Sequence, residues 1–161
     1  SVFATVAGQL DSGYDQLCLV SCVGNDNSSD FIPFTQTGKR YVFNTAGVVA
    51  SANPGTTWTP IDLTPANMST NPAFVAPGLS NICFGSAFIG ANRTAAISNL
   101  NTITTVLAND APNRVKFGDG TTEGNIQWSF DVLTADTIYY ETDASGAATI
   151  YLSGFEINKL G

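Results

Sequence analysis

Residues 125–133 read Asn-Ile-Gln-Trp-Ser-Phe-Asp-Val-Leu, and this stretch decides the fold class. Ile126, Trp128, Phe130 and Val132 fall on one side of an extended chain, and Gln127, Ser129 and Asp131 on the other. That is the period-2 pattern of a strand with one buried and one wet face. Two further strand-like runs follow at 136–142 and 147–157, separated by the turn sequence Asp-Ala-Ser-Gly. The C-terminal part is therefore expected to form a three-stranded meander on an apolar core. In the last run Ile150 and Leu152 share a face, but Phe155 and Ile157 carry the apolar phase one residue out of step. Gly154 is the expected bulge.

Working outward, residues 2–10 and 15–23 are strand candidates on either side of a polar Asp-Ser-Gly connection. In the second, Leu17, Leu19 and Ser21 alternate with Cys18, Val20 and Cys22, which predicts cover on both faces. Residues 24–30 (Gly-Asn-Asp-Asn-Ser-Ser-Asp) read as a solvated turn, because they lack the Gly and terminal Glu of a calcium loop. Residues 31–34, broken by Pro33, suit an edge strand, and 39–44 a short strand. The run 81–90 is a strongly apolar strand, and the Ala pair in 92–99 leaves room for one helical turn. Residues 101–107 are β-branched and read as strand, 109–113 as a turn around Pro112, and 114–117 as a short strand. Gly118-Asp119-Gly120 then opens a hairpin-type turn that returns onto 125–133.

Residues 45–80 differ in character. They hold Pro54, Pro60, Pro65, Pro72 and Pro77, which exclude regular structure over most of the segment. Thr64 and Pro65 suit the cap and first position of one short helical turn. Yet Trp58, Ile61, Leu63, Met68 and Phe74 need cover. The segment is read as a Pro-rich arm or loop packing on its own sheet or on a neighbouring subunit. About nine closely spaced strands and no long helical pattern predict an all-β chain. The expected architecture is a single β-sandwich domain over residues 1–161, jelly-roll-like in wiring.

Composition narrows the function. The chain has 161 residues, of which 12% are charged and 43% hydrophobic, so Ser, Thr, Asn and Gly must cover much of its surface. Six Lys and Arg against thirteen Asp and Glu give a net charge of −7. Such a surface repels phosphate backbones, which argues against nucleic-acid and anionic-membrane partners. No apolar run approaches the ~20 residues that span a bilayer. Ser1-Val2-Phe3 reads as a native terminus. The chain contains no histidine. This removes the commonest general base, the Ser-His-Asp and Cys-His arrangements and the commonest transition-metal ligand.

Cys18 and Cys22 lie on one strand candidate, roughly 13 Å apart, beyond disulfide reach. Either has Cys83 as an alternative partner, but the odd count in apolar settings favours free, buried thiols and a reducing compartment. Three thiols without histidine make a poor zinc site. Asp131, Glu141 and Glu156, with Trp128, Tyr139, Tyr140 and Tyr151 near them in sequence, superficially match a glycosidase pair among aromatics. They occupy the outward positions expected of amphipathic strands, so the chain is read as non-enzymatic, with no cofactor and no metal. Trp58, Tyr139, Tyr140 and Tyr151 are the candidates for a sugar platform. Trp128 is assigned to the core instead.

Rich in Ala, Thr, Gly, Asn and Ser, poor in charge and free of histidine, the chain resembles bacteriophage virion proteins in composition and strand pattern over its whole length. The resemblance is to capsid decoration (cement) proteins first and to the β-sandwich tips of tail fibres second. Strand signal running from Val2 to Ile157 suits a stand-alone decoration protein. The resemblance implies a virion location after assembly in the host cytoplasm. It also implies a major capsid or other virion protein as partner, and a homo-oligomer, with a trimer favoured. The alternative is a receptor- or carbohydrate-binding module with a host surface glycan as ligand. Partner contacts are assigned to Trp58, Ile61, Leu63, Met68 and Phe74 on the arm and to the basic pair Lys39 and Arg40.

Overall fold

The computed structural model describes residues 33–63, 80–102, 114–132, 136–143 and 146–157. The segment 125–133 lies in β7, and its alternation is realised: Trp128 and Phe130 are buried while Asn125, Gln127, Ser129 and Asp131 are exposed. Nine strands occur among the described residues: β1 (Phe34–Thr37), β2 (Arg40–Ala52), β3 (Thr59–Asp62), β4 (Ser80–Ile89), β5 (Ala95–Ser98), β6 (Arg114–Phe117), β7 (Gly124–Asp131), β8 (Thr137–Thr142) and β9 (Ala148–Ile157). They form a five-stranded sheet, β1-β2-β9-β4-β7, and a four-stranded sheet, β3-β8-β5-β6. Every ladder is antiparallel. The chain is all-β, as expected.

The pairing is nested. Strand β2 pairs with β9, β3 with β8, β4 with β7 and β5 with β6. The chain thus doubles back on itself as one long ribbon, and successive lengths of that ribbon alternate between the sheets. The ladders β4–β9 and β5–β8 then join neighbouring lengths of the ribbon within each sheet.

This wiring corrects four local expectations. Strands β7, β8 and β9 do not form a meander, since β8 belongs to the four-stranded sheet and the other two to the five-stranded one. The turn at 118–123 is not a hairpin, because it carries the chain from β6 in one sheet to β7 in the other. Residues Ala95–Ser98 are a strand buried on both faces rather than a helical turn. Regular structure also enters the Pro-rich segment, through the end of β2 and the whole of β3. Pro60 is tolerated because β3 is an edge strand, where one side of the backbone has no ladder to complete. The strand candidates at 2–10, 15–23 and 101–107 and the turn at 24–30 fall wholly or mostly outside the described residues. So do Cys18, Cys22, Met68, Phe74, the helical turn at Thr64-Pro65 and the turn around Pro112.

The core lies between the sheets. Tyr41, Phe43, Cys83, Ala87, Ile89, Trp128, Phe130, Ile150, Leu152, Phe155 and Ile157 come from one sheet, and Ile61, Ala95, Ile97, Phe117, Ile138 and Tyr140 from the other. Strand β9 is central and its bulge falls where the phase slips. Gly85 pairs with Leu152, but the next residue back, Phe84, pairs with Gly154, so Ser153 is the extra residue. The slip turns Phe155 and Ile157 inward, both 1% exposed. Phe155 then stacks on Tyr41 with ring centroids 4.9 Å apart and an interplanar angle of 7°.

Cys83 is a free thiol with no exposed surface, on the inward face of β4. Burial pushes it up to about 12, so the reactive thiolate is scarce at neutral pH. Folded protein treated with iodoacetamide at pH 8 should leave Cys83 unmodified, whereas denatured protein is alkylated there. Peptide mapping by mass spectrometry distinguishes Cys83 from the other two cysteines.

Candidate functional site

The outer face of the five-stranded sheet departs most from an ordinary wet sheet surface. Strand β4 explains why. Its inward positions are Cys83, Gly85, Ala87 and Ile89, mostly small, while its outward positions include Ile82, Phe84 and Phe88. Large apolar side chains normally point the other way. The small inward set lets the strand sit close to Trp128, whose ring would lie 2.8 Å from a Cβ placed at Gly85.

Register arranges the outward residues in rows across the sheet. One row runs Arg40, Glu156, Ile82, Asp131. The next runs Thr35, Val42, Gly154, Phe84, Ser129. Beyond the bulge come Val48, Tyr151, Ser86, Gln127, and then Ser51, Thr149, Phe88, Asn125. An aliphatic and aromatic band therefore follows β4 and spreads to β2 and β9, with the polar groups Asn125, Gln127, Ser129 and Asp131 along β7. Val42 and Phe88 are each 37% exposed, the large apolar side chains most open to solvent among the described residues.

Arg40 anchors one end of this band. Its guanidinium carbon lies 4.2 Å from the centroid of the Phe84 ring, and its Nη1 is 3.8 Å from Glu156 Oε1. The arginine is half-exposed, so the ion pair contributes at most ~1 kcal/mol. Its larger consequence is positional: the charge is held over the face of the Phe84 ring. Lys39 is exposed in the β1–β2 turn, and its carbonyl accepts the amide of Ile157 at 2.9 Å.

The arm residues behave differently. Ile61 and Leu63, assigned above to partner contact, are 4% and 1% exposed and belong to the core cluster. Their contacts are made within this chain, because β3 pairs with β8 and turns Ile61 inward beside Ile138. Trp58 is half-buried in the β2–β3 connection, just before the edge strand of the four-stranded sheet. The structure thus groups Lys39 with Arg40 and places Trp58 elsewhere. Sequence reasoning does not single out the outward Phe84 and Phe88 of β4 or Val42 of β2. The signal for the two phenylalanines was the size asymmetry between the two alternating sets in 82–89.

The aromatic and acidic constellations also come apart. Tyr140 is a core residue, 4% exposed, and burial raises its phenol above the ordinary value. Tyr151 lies on the outer face of the five-stranded sheet, whereas Tyr139 faces Pro60 on the other sheet. Trp58, Tyr139 and Tyr151 therefore share no single platform. Asp131 and Glu156 flank Ile82 two strands apart, and Glu141 is on the other sheet. These carboxylates do not converge.

Four connections meet at one end of the sandwich. Thr94 N–H donates to Asp143 Oδ2 at 2.8 Å, and Asp143 N–H donates to the Thr94 carbonyl at 2.8 Å. Thr142 N–H donates to the Gly55 carbonyl, its hydroxyl donates to Asn53 Oδ1, and Gly120 N–H donates to the Arg93 carbonyl. Asp119 is fully exposed but accepts from the amides and hydroxyls of Thr121 and Thr122, which holds its carboxyl well below the usual range. These bonds tie the apex into one unit and use much of its polar capacity internally. Among the described residues, no group of three or more Cys, Asp and Glu is placed to hold a metal ion. No model of a known protein family matches the chain. A search of curated proteins also finds no significant match.

Proposed function

We propose that this chain is a non-enzymatic assembly protein that docks through the outer face of its five-stranded sheet, as a homo-oligomer and as a decoration protein on a virion shell. One observation carries the reading: β4 turns Ile82, Phe84 and Phe88 outward, and they share the outer face of the sheet with Val42 and Tyr151, Phe88 and Val42 being exposed and the others half-buried. Such a band favours protein contact because few charges must be desolvated there, and Arg40 is already neutralised by Glu156. The virion setting and a capsid protein as partner rest on the compositional resemblance. The nested strand pairing supports a jelly-roll wiring for the sandwich.

The test uses surface substitutions that leave the core untouched. Phe88→Asp combined with Val42→Asp should keep the circular dichroism spectrum and shift a wild-type oligomer to monomer in sedimentation velocity. Self-affinity should fall about 100-fold or more, because a charge replaces each of the two most exposed apolar side chains of the face. A wild-type chain that sediments as a monomer at 100 µM and fails to bind virus particles would sink the proposal.

A second reading, a glycan- or receptor-binding module, draws on the hydrogen-bonded apex formed by residues 53–58, 90–94, 118–123, 143 and 146–147. A rigid loop end on a sandwich suits recognition with little ordering entropy to lose. Glycan-array binding abolished by substitutions at the apex, and unaffected by Phe88→Asp, favours this reading over the first.

A further inference from the structure

Among the described residues the two sheets end in four outer strands, β1, β7, β3 and β6. Outer strands present unpaired amides and carbonyls, and proteins blunt them with shortness, proline, cations or bulges. Three of the four are blunted. Strands β1, β3 and β6 have four residues each, β3 contains Pro60, and β6 carries Arg114 and Lys116. Strand β2 runs on past β1, but irregularities of register between Val42 and Gly47 and between Val48 and Ala50 interrupt it.

Strand β7 has none of these protections. It contains no proline, lysine or arginine, and it pairs with β4 from Gly124 to Asp131 without a bulge. Its eight residues make an edge of roughly 27 Å. The edge is also held in place. Trp128 and Phe130 stack with ring centroids 5.8 Å apart, and the Asp131 carbonyl accepts from Asn99 Nδ2 at 3.0 Å, just after β5 of the opposite sheet. A preformed edge has little ordering entropy to lose on binding.

The side chains of β7 define what fits beside it. Its outer row, Asn125, Gln127 and Ser129, is exposed and neutral. Its inner row is apolar, and Ile126 in that row is only half-buried. Acids stand at both ends: exposed Glu123 immediately precedes the strand and exposed Asp131 closes it. Neither makes a salt bridge among the described residues. Arg114 and Lys116 on β6 alternate with Val115 and Phe117, which pack in the core, and so face away from β7. Strand β7 has no cation of its own to answer the two acids, so a second copy is not the fitting occupant.

We propose that the β7 edge accepts an extended segment of another protein by strand addition, one that alternates neutral polar and apolar residues and carries Lys or Arg at both ends. Main-chain hydrogen bonds supply the affinity, the alternation matches the two rows, and the terminal cations pair with Glu123 and Asp131. The edge is separate from the outer face of the sheet, so this contact holds whether or not that face docks.

The probe is a capped, fluorescein-labelled peptide, Lys-Val-Thr-Val-Thr-Val-Thr-Val-Lys, whose lysines are spaced as Glu123 and Asp131 are. Fluorescence anisotropy on the full chain at low salt should show binding about tenfold tighter than for the peptide with Glu at both ends. A version with two adjacent central prolines should not bind, since one of any two adjacent amides faces β7. Glu123→Lys combined with Asp131→Lys should invert the preference between the two end charges. Phe88→Asp combined with Val42→Asp should leave peptide binding unchanged. Hydrogen exchange with saturating peptide should raise protection in β7 and leave β1, β3 and β6 as they were. Absence of binding, equal binding of the proline peptide, or protection gained only outside β7 overturns the proposal. So does a wild-type dimer that Gln127→Lys disperses and the Phe88→Asp, Val42→Asp pair does not, because a second copy then occupies the edge.

Discussion

Gly85→Ala is expected to be severely destabilising at 25 °C. A Cβ at this position would lie 1.8 Å from the carbonyl oxygen of Tyr151 and 2.8 Å from the Trp128 ring. The first neighbour is backbone, so no rotamer change relieves the contact. Relief requires β4 to move away from β9, and these are inner strands of the five-stranded sheet. Separating them breaks the ladder that runs from Ser80↔Ile157 to Ile89↔Ala148. The expected loss exceeds about 4 kcal/mol, a large share of the 5–15 kcal/mol that stabilises a typical domain. The measurement is urea denaturation followed by tryptophan fluorescence and far-ultraviolet circular dichroism. Gly90→Ala is the control, since a Cβ there meets nothing within 4 Å and the backbone is not left-handed. It should change stability by no more than about 0.5 kcal/mol. A folded Gly85→Ala protein with a near wild-type midpoint would show that β4 and β9 are farther apart than described.

Phe155→Ala is the second large effect. Phe155 is 1% exposed, stacks on Tyr41, and lies 6.0 Å from Phe43 at a tilted angle of 57°. Tyr41 in turn packs on Phe34 at 5.4 Å, so the ring anchors β1 and β2 to β9 through one aromatic cluster. Truncation removes the transfer free energy of the ring and leaves a cavity between neighbours held by their own strands. The expected cost is about 3–5 kcal/mol. Phe155→Leu retains most of the volume and should cost much less, which separates a cavity from a general intolerance of change. The denaturation midpoint should move while its urea dependence stays the same. The site exists because of the bulge: without the extra residue at Ser153, Phe155 would point outward. Gly154 permits the bulge, since a Cβ there would lie 2.0 Å from the Tyr41 carbonyl and 2.6 Å from the Phe84 ring.

These substitutions show how unevenly the structure was legible. The alternation in β7 and the phase slip in β9 are local signals, written in consecutive residues, and both appear in the fold. The choice of ladder partner is not local. Strands β7, β8 and β9 all show one buried face, and any of the three could pair with its neighbour in the chain. The structure instead sends β8 to the opposite sheet, where Tyr140 meets Ile97 and Ile138 meets Ile61. A period-2 pattern says which side is buried. It does not say which sheet does the burying, because two sheets facing one core demand the same pattern.

The candidate site was half legible. Arg40 was identified as part of a basic pair, but its role depends on Phe84, some forty residues away along the chain and reached across β9. Ile61 and Leu63 look like contact residues because prolines surround them, yet β3 takes up edge pairing with β8 and turns Ile61 into the core. Proline excludes a residue from the middle of a ladder but not from its rim.

Residue order alone is enough to make the described chain all-β, to put Trp128 and Phe130 in the core and to mark a bulge at Gly154 of β9. These follow from the strict two-residue period of an extended backbone. That β4 keeps Gly85 and Ala87 inward and shows Phe84 and Phe88 outward follows from the packing of strands around it. The reason is steric: the Tyr151 backbone of β9 and the Trp128 ring approach Gly85 so closely that this inward position of β4 has no room for a side chain.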